Sequence, residues 1–289
     1  MPPRKHGRPG VLAWCAAVVV LAGCAAAAPP ELPDGVRVEV LQGRTDYTSG
    51  TLVIRVLNES GSDLELESAR LSWPGFSEPA VWERGTTVRS GTTVDLRAPV
   101  PEVVCDDGQP GPDSTADLRF RENDRRATAT VPVTDPLSTL DRLHGAGCIA
   151  GQVDRVATVT VASPVIDGAG RNSVAVVALT LTPTGADGRV DVDGVSSTPL
   201  LLPDPATNAN AADWALDLGV DAASGPVTAE LRIVPARCDA HAIADDKVGT
   251  VFDIAIRLSD GTAGEYRVVP AEGIREELLD YVRTACGLL

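Results

Sequence analysis

The segments SGTTVDLRAPVPEVVCD, residues 90–106, and SGPVTAELRIVPARCD, residues 224–239, are two copies of one pattern. Each begins with Ser-Gly, passes through Leu-Arg and then Val-Pro, and ends in Cys-Asp. We expect a strand to carry the first cysteine of each copy. An internal repeat with this spacing predicts that the chain contains two similar units.

The residues around these segments correspond as well. Stretches typical of strands lie at 36–40, 51–57, 64–71, 116–120 and 127–133, and again at 157–161, 174–181, 190–195, 251–257 and 265–269. Each copy then has a short helical pattern that is expected to end at a second cysteine. In the first, Asp135 is expected to cap the helix and Gly145-Ala-Gly147 to end it. In the second, Ile274, Leu278 and Val282 share one helical face.

Composition favours a fold made mainly of strands. Hydrophobic residues make up 44% of the 289 residues but aromatic residues only 3%, so the core must consist of Val, Leu, Ile and Ala. β-Branched side chains favour strands. We therefore predict an all-β chain of two tandem immunoglobulin-like β-sandwich domains, residues 34–150 and 152–289, each with one short helix and one disulfide. Neither cysteine pair encloses a Trp, so the likeness is to the architecture and not to antibody domains.

Four cysteines lie within the predicted domains: Cys105, Cys148, Cys238 and Cys286. Their even number is typical of disulfides in an exported chain, and four cysteines allow three connectivities. If the two copies are equivalent, Cys105 pairs with Cys148 and Cys238 pairs with Cys286. Each bridge would then fasten a short helix to the strand that carries the first cysteine.

The N-terminus has the pattern of an export signal. Arg4, Lys5 and Arg8 precede an apolar run from Val11 to Ala22, which is too short for a permanent membrane span. The next residues complete the sequence Leu21-Ala22-Gly23-Cys24, which resembles the lipobox of bacterial lipoproteins.

This resemblance implies that residues 1–23 are a removed signal peptide and that Cys24 carries a lipid. The chain would then be anchored to the outer face of the cell membrane. The alternative is an ordinary secretory peptide cut near Ala25–Ala28, which would release the protein. Residues 24–33 are rich in Ala and Pro and are predicted to be a tether.

Net charge limits the possible partners. The whole chain carries −15, and residues 1–23 contain three basic residues and no acidic one, so the remainder carries −18. Such a chain repels nucleic acid phosphates and anionic lipid head groups. We expect contact with the membrane through the lipid at Cys24 alone, no nucleic acid partner, and an envelope protein or ligand as the partner.

The sequence offers little chemistry. It contains no nucleophile elbow, zinc-protease helix or phosphate loop, so we expect no catalytic residues, no cofactor and no enzymatic activity. His241 with Asp239 and Asp245 is a weak metal-site candidate beside Cys238. The competing interpretation is that Cys238 is oxidised and His241 lies in a loop, because an oxidised cysteine cannot bind zinc.

Residues 237–242 with 246–252 are similar to a segment of uncharacterised exported proteins of actinobacteria, and this likeness implies no activity. The first functional hypothesis is a non-enzymatic binding or scaffolding lipoprotein of the cell envelope. The alternative is an envelope metal-binding or metal-delivery protein that uses the loop from Cys238 to His241. A solute receptor and a hydrolase are disfavoured, because the alternating helices and strands of the former and the nucleophile–base motif of the latter are missing.

Overall fold

The computed structural model describes residues 32–105, 110–122, 125–207, 212–246 and 248–288. The predicted signal peptide, Cys24 and nearly all of the tether lie outside these residues. The described chain is mostly β, with sandwich-like sheets and four α-helices among the described residues. Within this part of the chain, none of the helices has the length and hydropathy needed to cross a membrane.

The N-terminal unit contains eight strands and one short helix. They are β1 Val36–Leu41, α1 Arg44–Ser49, β2 Thr51–Asn58, β3 Leu64–Ser72, β4 Ala80–Trp82, β5 Thr86–Val88, β6 Thr92–Pro99, β7 Thr115–Glu122 and β8 Arg125–Thr134. One layer has the order β6-β2-β1 and the other β8-β7-β3-β4, with β5 paired to β3. A short parallel pairing of β1 with β8, which sets Val38 opposite Val133, joins the two layers along one edge.

The C-terminal unit begins directly after a long helix, α2 Thr139–Val156. Its elements are β9 Ala157–Val161, β10 Val165–Asp167, β11 Val174–Pro183, β12 Arg189–Val195, β13 Leu201–Pro203, β14 Trp214–Asp221, β15 Val227–Pro235, α3 Ala240–Ala244, β16 Phe252–Leu258, β17 Ala263–Val268 and α4 Glu272–Ala285. One sheet has the order β10-β11-β15-β13, with β9 also paired to β11, and the other has the order β14-β12-β16-β17.

Most of the predicted elements are confirmed. Each strand range predicted from the sequence is present, with bounds that differ by no more than a few residues. The prediction that a strand carries the first cysteine was wrong, because β6 ends at Pro99 and β15 at Pro235, and Cys105 and Cys238 lie in the loops that follow. Both disulfides have the predicted pairing, with Cα atoms 5.5 Å apart in Cys105–Cys148 and 5.2 Å apart in Cys238–Cys286. Disulfides persist in oxidising compartments, so the pair indicates that this part of the chain folds outside the cytoplasm.

The predicted end of the first helix was wrong. Asp135 does cap it, since the backbone N–H groups of Thr139 and Leu140 donate to its carboxylate at 2.7 and 2.8 Å. However, α2 does not stop at Gly145–Gly147 or at Cys148, and it continues to Val156 through residue 151. Glycine costs a helix only about 0.5–1 kcal/mol relative to Ala, so apolar burial on the far side of these glycines outweighs it.

That burial occurs in the second unit. Leu140, near the start of α2, belongs to the apolar core of the N-terminal unit, and Leu143 packs against it. Val153 and Val156, near its end, belong to the core of the C-terminal unit. The next residue, Ala157, already has the extended conformation that begins β9. One helix of 18 residues therefore lies in both cores, and no loop separates it from the second unit.

A glycine substitution tests this continuity. Gly151→Ala should raise stability by about 0.5–1 kcal/mol, because a helical Ala loses less chain entropy and its Cβ would meet nothing within 4 Å. The matched Gly147→Ala should gain less or destabilise, because its Cβ would lie 2.6 Å from Cγ2 of Val103. Urea unfolding of both variants provides the measurement, and loss of stability in Gly151→Ala would contradict a helical residue 151.

Candidate functional site

The candidate site lies where the two units meet and begins with α1. The carboxylate of Asp46 is buried and fixes this helix by accepting three hydrogen bonds. They come from the backbone N–H of Gly43 at 2.9 Å, from Nε of Arg97 at 2.9 Å and from the hydroxyl of Thr51 at 3.2 Å. Because these hydrogen bonds hold the side chain of Asp46 against the N-terminal unit, the next residue, Tyr47, has a defined position.

The ring of Tyr47 lies between two guanidinium groups. Arg142 of α2 and Arg267 of β17 each lie 4.9 Å from its centroid. Arg142 also donates to the side-chain oxygen of Gln42 at 2.9 Å, and Arg267 forms a two-point ion pair with Asp253 at 2.7 and 2.9 Å. Hydrogen bonding to Asp253 raises the pKa of Arg267 above its ordinary value. The ring therefore connects α1 of the first unit to β17 of the second.

A second contact fastens α2 to the same strand. The hydroxyl of Tyr266 donates to the carboxylate of Asp154 at 2.6 Å. Burial and this hydrogen bond raise the pKa of Tyr266 above its ordinary value, so the phenol stays protonated at physiological pH. Gly264 lies two residues before Tyr266 on β17 and leaves room for the side chain of Ile149 of α2, so the helix and the strand also pack directly at the junction of the two units. The junction is therefore fastened by packing, hydrogen bonding and cation–π contacts together.

These contacts border a cavity of about 590 Å³ that both units line. Its volume lies within the range of about 300–1,000 Å³ that is usual for ligand sites. The first unit contributes Arg44 and Tyr47, and the second contributes the loop at 197–200 together with residues near α3, β16 and β17. The charged residues that line it are Arg44, Arg237, Arg267, Asp245, Asp246 and Asp253.

Part of this charge is neutralised within the cavity wall. Asp253 pairs with Arg267, and Asp246 accepts the backbone N–H of Gly249 at 2.6 Å. Arg44 and Arg237 are exposed and form no ion pair with any residue that the structure describes. One of these two cations comes from each unit. The cavity therefore offers a pair of available guanidinium groups, and guanidinium groups bind carboxylates and phosphates well.

The predicted metal candidates are not brought together. Asp239 precedes α3, His241 lies within it and Asp245 follows it, and all three side chains are exposed. Of these three, Asp245 alone lines the cavity. Cys238 is oxidised, as the competing interpretation expected, but His241 lies in the short helix α3 and not in a loop. In the described ranges, the residues whose ligand atoms are grouped closely enough to hold a metal are Cys105, His144 and Cys148.

Sequence reasoning missed both Tyr47 and His144. No element was predicted between the strands at 36–40 and 51–57, because helix α1 has only six residues and no apolar periodicity. Contacts between residues far apart in the chain, such as those of Tyr47 with Arg142 and Arg267, produce no recognisable pattern in a single sequence. His144 did leave a signal, since it precedes Cys148 by four residues and therefore lies on the same face of a helix.

Comparison with known proteins adds no assignment. No family model and no curated protein matches the chain. Among solved structures, the chain is similar to red sea bream transglutaminase, with 11% identity over 82% of this chain and 31% of that one and a TM-score of 0.22. It is also similar to the Pseudomonas aeruginosa CupB2 chaperone, with 12% identity over 78% and 95% and a TM-score of 0.23.

A third similar structure is a protein of unknown function from Porphyromonas gingivalis W83, with 17% identity over 80% of this chain and 94% of that one and a TM-score of 0.22. The chain spans about a third of the transglutaminase. At TM-scores this low, none of the three similarities carries an argument about fold or function.

The ring of Tyr47 gives a testable prediction. Tyr47→Leu should lower stability by about 1–2 kcal/mol, since exposed cation–π contacts contribute about 0.5–1 kcal/mol each. Tyr47→Phe keeps the ring and should change stability little. Thermal unfolding of the two variants distinguishes the ring from the hydroxyl group, and equal losses in both would contradict the cation–π role.

Proposed function

We propose that the protein is a lipid-anchored, non-enzymatic binding or scaffolding module of the cell envelope. The observation that carries the proposal is the junction, where one helix belongs to both cores and the two units line one cavity. A flexible pair of domains would not keep Arg44 and Arg237 at a constant separation. A rigid pair does so, and preorganisation of this kind lowers the entropic cost of binding.

Strand order supports an immunoglobulin-like class for both units. In such domains one sheet has the order A-B-E-D, and strands C, F and G form the other. The C-terminal unit matches if β9 and β10 together are strand A, with β11, β15 and β13 as B, E and D. In the facing sheet β14-β12-β16-β17, strands β12, β16 and β17 correspond to C, F and G. The edge strand β14 occupies the place of C′ but follows β13 in the chain, whereas C′ precedes D in an immunoglobulin domain. The N-terminal unit has the same order, β1-β2-β6 facing β4-β3-β7-β8.

The ligand class follows from the charges in the cavity. After the pair of Arg267 with Asp253 is removed, Arg44 and Arg237 remain as two cations beside the carboxylates of Asp245 and Asp246. Neither arginine forms an ion pair with a residue that the structure describes, so both guanidinium groups can bind a ligand. We assign to the cavity an acidic segment of an envelope partner, with a carboxylate held between the two arginines. The surrounding chain is strongly acidic, so such a segment is repelled elsewhere on the surface and is favoured at this junction.

Labelling with radioactive palmitate tests the anchor. Wild-type protein in its native cells should incorporate the label, and Cys24→Ser should lose both the label and the membrane fraction, because a thioether needs the thiol. The matched control is Cys15→Ser, which changes the other cysteine before the folded domains and should keep the label. Labelling that survives in Cys24→Ser would contradict the lipobox interpretation.

Photo-crosslinking in intact cells tests the cavity. A benzoylphenylalanine at position 199, which borders the cavity, should form a discrete adduct, and one at exposed Thr93 on β6 should not. The double variant Arg44→Gln with Arg237→Gln should reduce the adduct at least about tenfold, because charge-assisted hydrogen bonds contribute about 1.5–3 kcal/mol each.

The control for the loss of positive charge is Arg89→Gln, which removes an exposed arginine of the N-terminal unit that does not line the cavity. It should leave the adduct unchanged. An adduct that forms equally at position 93, or one that is insensitive to the paired arginine substitutions, would overturn the assignment of the cavity as the binding site.

A further inference from the structure

The disulfide between Cys105 and Cys148 has a third metal-ligating side chain beside it. Nε2 of His144 lies 3.6 Å from Sγ of Cys148. The ligand atoms of Cys105, His144 and Cys148 all lie within 4.8 Å of one another. His144 and Cys148 are four residues apart on α2, so they share one face of the helix, and the bridge brings Cys105 to that face.

His144 is held in place by its surroundings. Its side chain is buried, Nε2 donates to the carbonyl oxygen of Val104 at 2.8 Å, and the ring meets the ring of Trp73 edge-on at 5.9 Å. Val104 immediately precedes Cys105 in the chain. The imidazole is therefore positioned by the same segment that carries the first sulfur, and this arrangement does not depend on the disulfide alone.

The spacing fits a zinc site. A tetrahedral zinc ion with bonds of about 2.3 Å to sulfur and about 2.0 Å to nitrogen requires a nitrogen–sulfur separation of about 3.5 Å. The observed separation between His144 and Cys148 is 3.6 Å. The two sulfurs lie 2.05 Å apart while bonded and must separate to about 3.8 Å to bind the same ion, so the site requires a reduced bridge.

The bridge is open to a reductant from one side. Cys105 is exposed and Cys148 is partly buried, so a thiol can reach the first sulfur. The other bridge also has one exposed sulfur, that of Cys238, but Cys286 is buried. No histidine in the described part of the chain groups with that pair. The two bridges therefore differ in the neighbouring histidine: Cys105–Cys148 has one that could be a third zinc ligand, and Cys238–Cys286 has none among the described residues.

We propose that reduction by a thiol compound converts Cys105, His144 and Cys148 into a binding site for one Zn²⁺ or a similarly thiophilic cation. Two thiol molecules become one disulfide, and their two electrons and two protons convert the bridge into two thiols. Metal binding then releases both thiol protons. The proton on Nε2 of His144 moves to Nδ1 and the hydrogen bond to Val104 breaks, so Nε2 becomes the third ligand. Water occupies the fourth position.

Cobalt titration of the lipidated mature chain in detergent tests the proposal, with Co²⁺ as a coloured substitute for zinc. After reduction and removal of the reductant, wild-type protein should bind one Co²⁺ and develop sulfur-to-cobalt absorption. The oxidised protein should develop none. The reduced double variant Cys105→Ser with Cys148→Ser retains the two thiols of Cys238 and Cys286 and should also develop none.

Histidine participation has its own variant. His144→Gln keeps an N–H donor for Val104 and both thiols. It should lower the affinity for Co²⁺ at least about tenfold, because removing even an outer partner of a metal ligand typically costs about 10–100-fold, and His144 is proposed as a ligand itself. Unchanged affinity in this variant, equal cobalt uptake by the Cys105→Ser, Cys148→Ser variant, or no uptake by reduced wild type would each overturn the proposal.

Peptide-resolved alkylation of the reduced wild-type chain provides a test that needs no variant. Zn²⁺ should protect Cys105 and Cys148 from an alkylating reagent and leave the exposed Cys238 reactive, which makes Cys238 the internal control. Equal protection of Cys238, or no protection of Cys105 and Cys148, would contradict the site. The cavity at the junction takes no part, so this result is independent of the proposed binding function.

Discussion

The structure depends on the burial of one helix in two cores. The first half of α2 is anchored by Leu140 and the second half by Val153 and Val156. An 18-residue helix is about 27 Å long, which is comparable to the diameter of a small domain, and its backbone hydrogen bonds resist bending along that length. Rotation of one unit against the other would have to expose apolar side chains of α2 or break the helix.

Other features of the junction depend on this constraint. Tyr47 can lie between Arg142 and Arg267 because α2 fixes the position of β17 relative to α1. The cavity has two arginines from different units because the units keep a constant orientation. The bridge from Cys105 to Cys148 fastens the middle of α2 to the first unit, between the part buried in each core. The two cores, the junction and the cavity therefore form one rigid body.

Most of the fold could be predicted from the sequence because the signals are local or repeated. The alternation in Val36–Leu41 and the helical spacing of Ile274, Leu278 and Val282 depend on neighbouring residues. The repeat then selected the disulfide pairing. The continuation of α2 could not be predicted in this way, because Gly145 and Gly147 indicate a helix end locally and only tertiary burial of Val153 overrides them. The site was largely missed, since Tyr47 meets its partners across the junction.

The most direct test of the central claim is the distance between the two units in solution. Spin labels at exposed Thr93 on β6 and at exposed Ser259 after β16 report that distance by pulsed electron resonance. A continuous α2 that is buried in both cores predicts one narrow distribution, which should remain narrow across the temperature range in which the protein is folded. A broad or multimodal distribution in the folded protein would contradict the account.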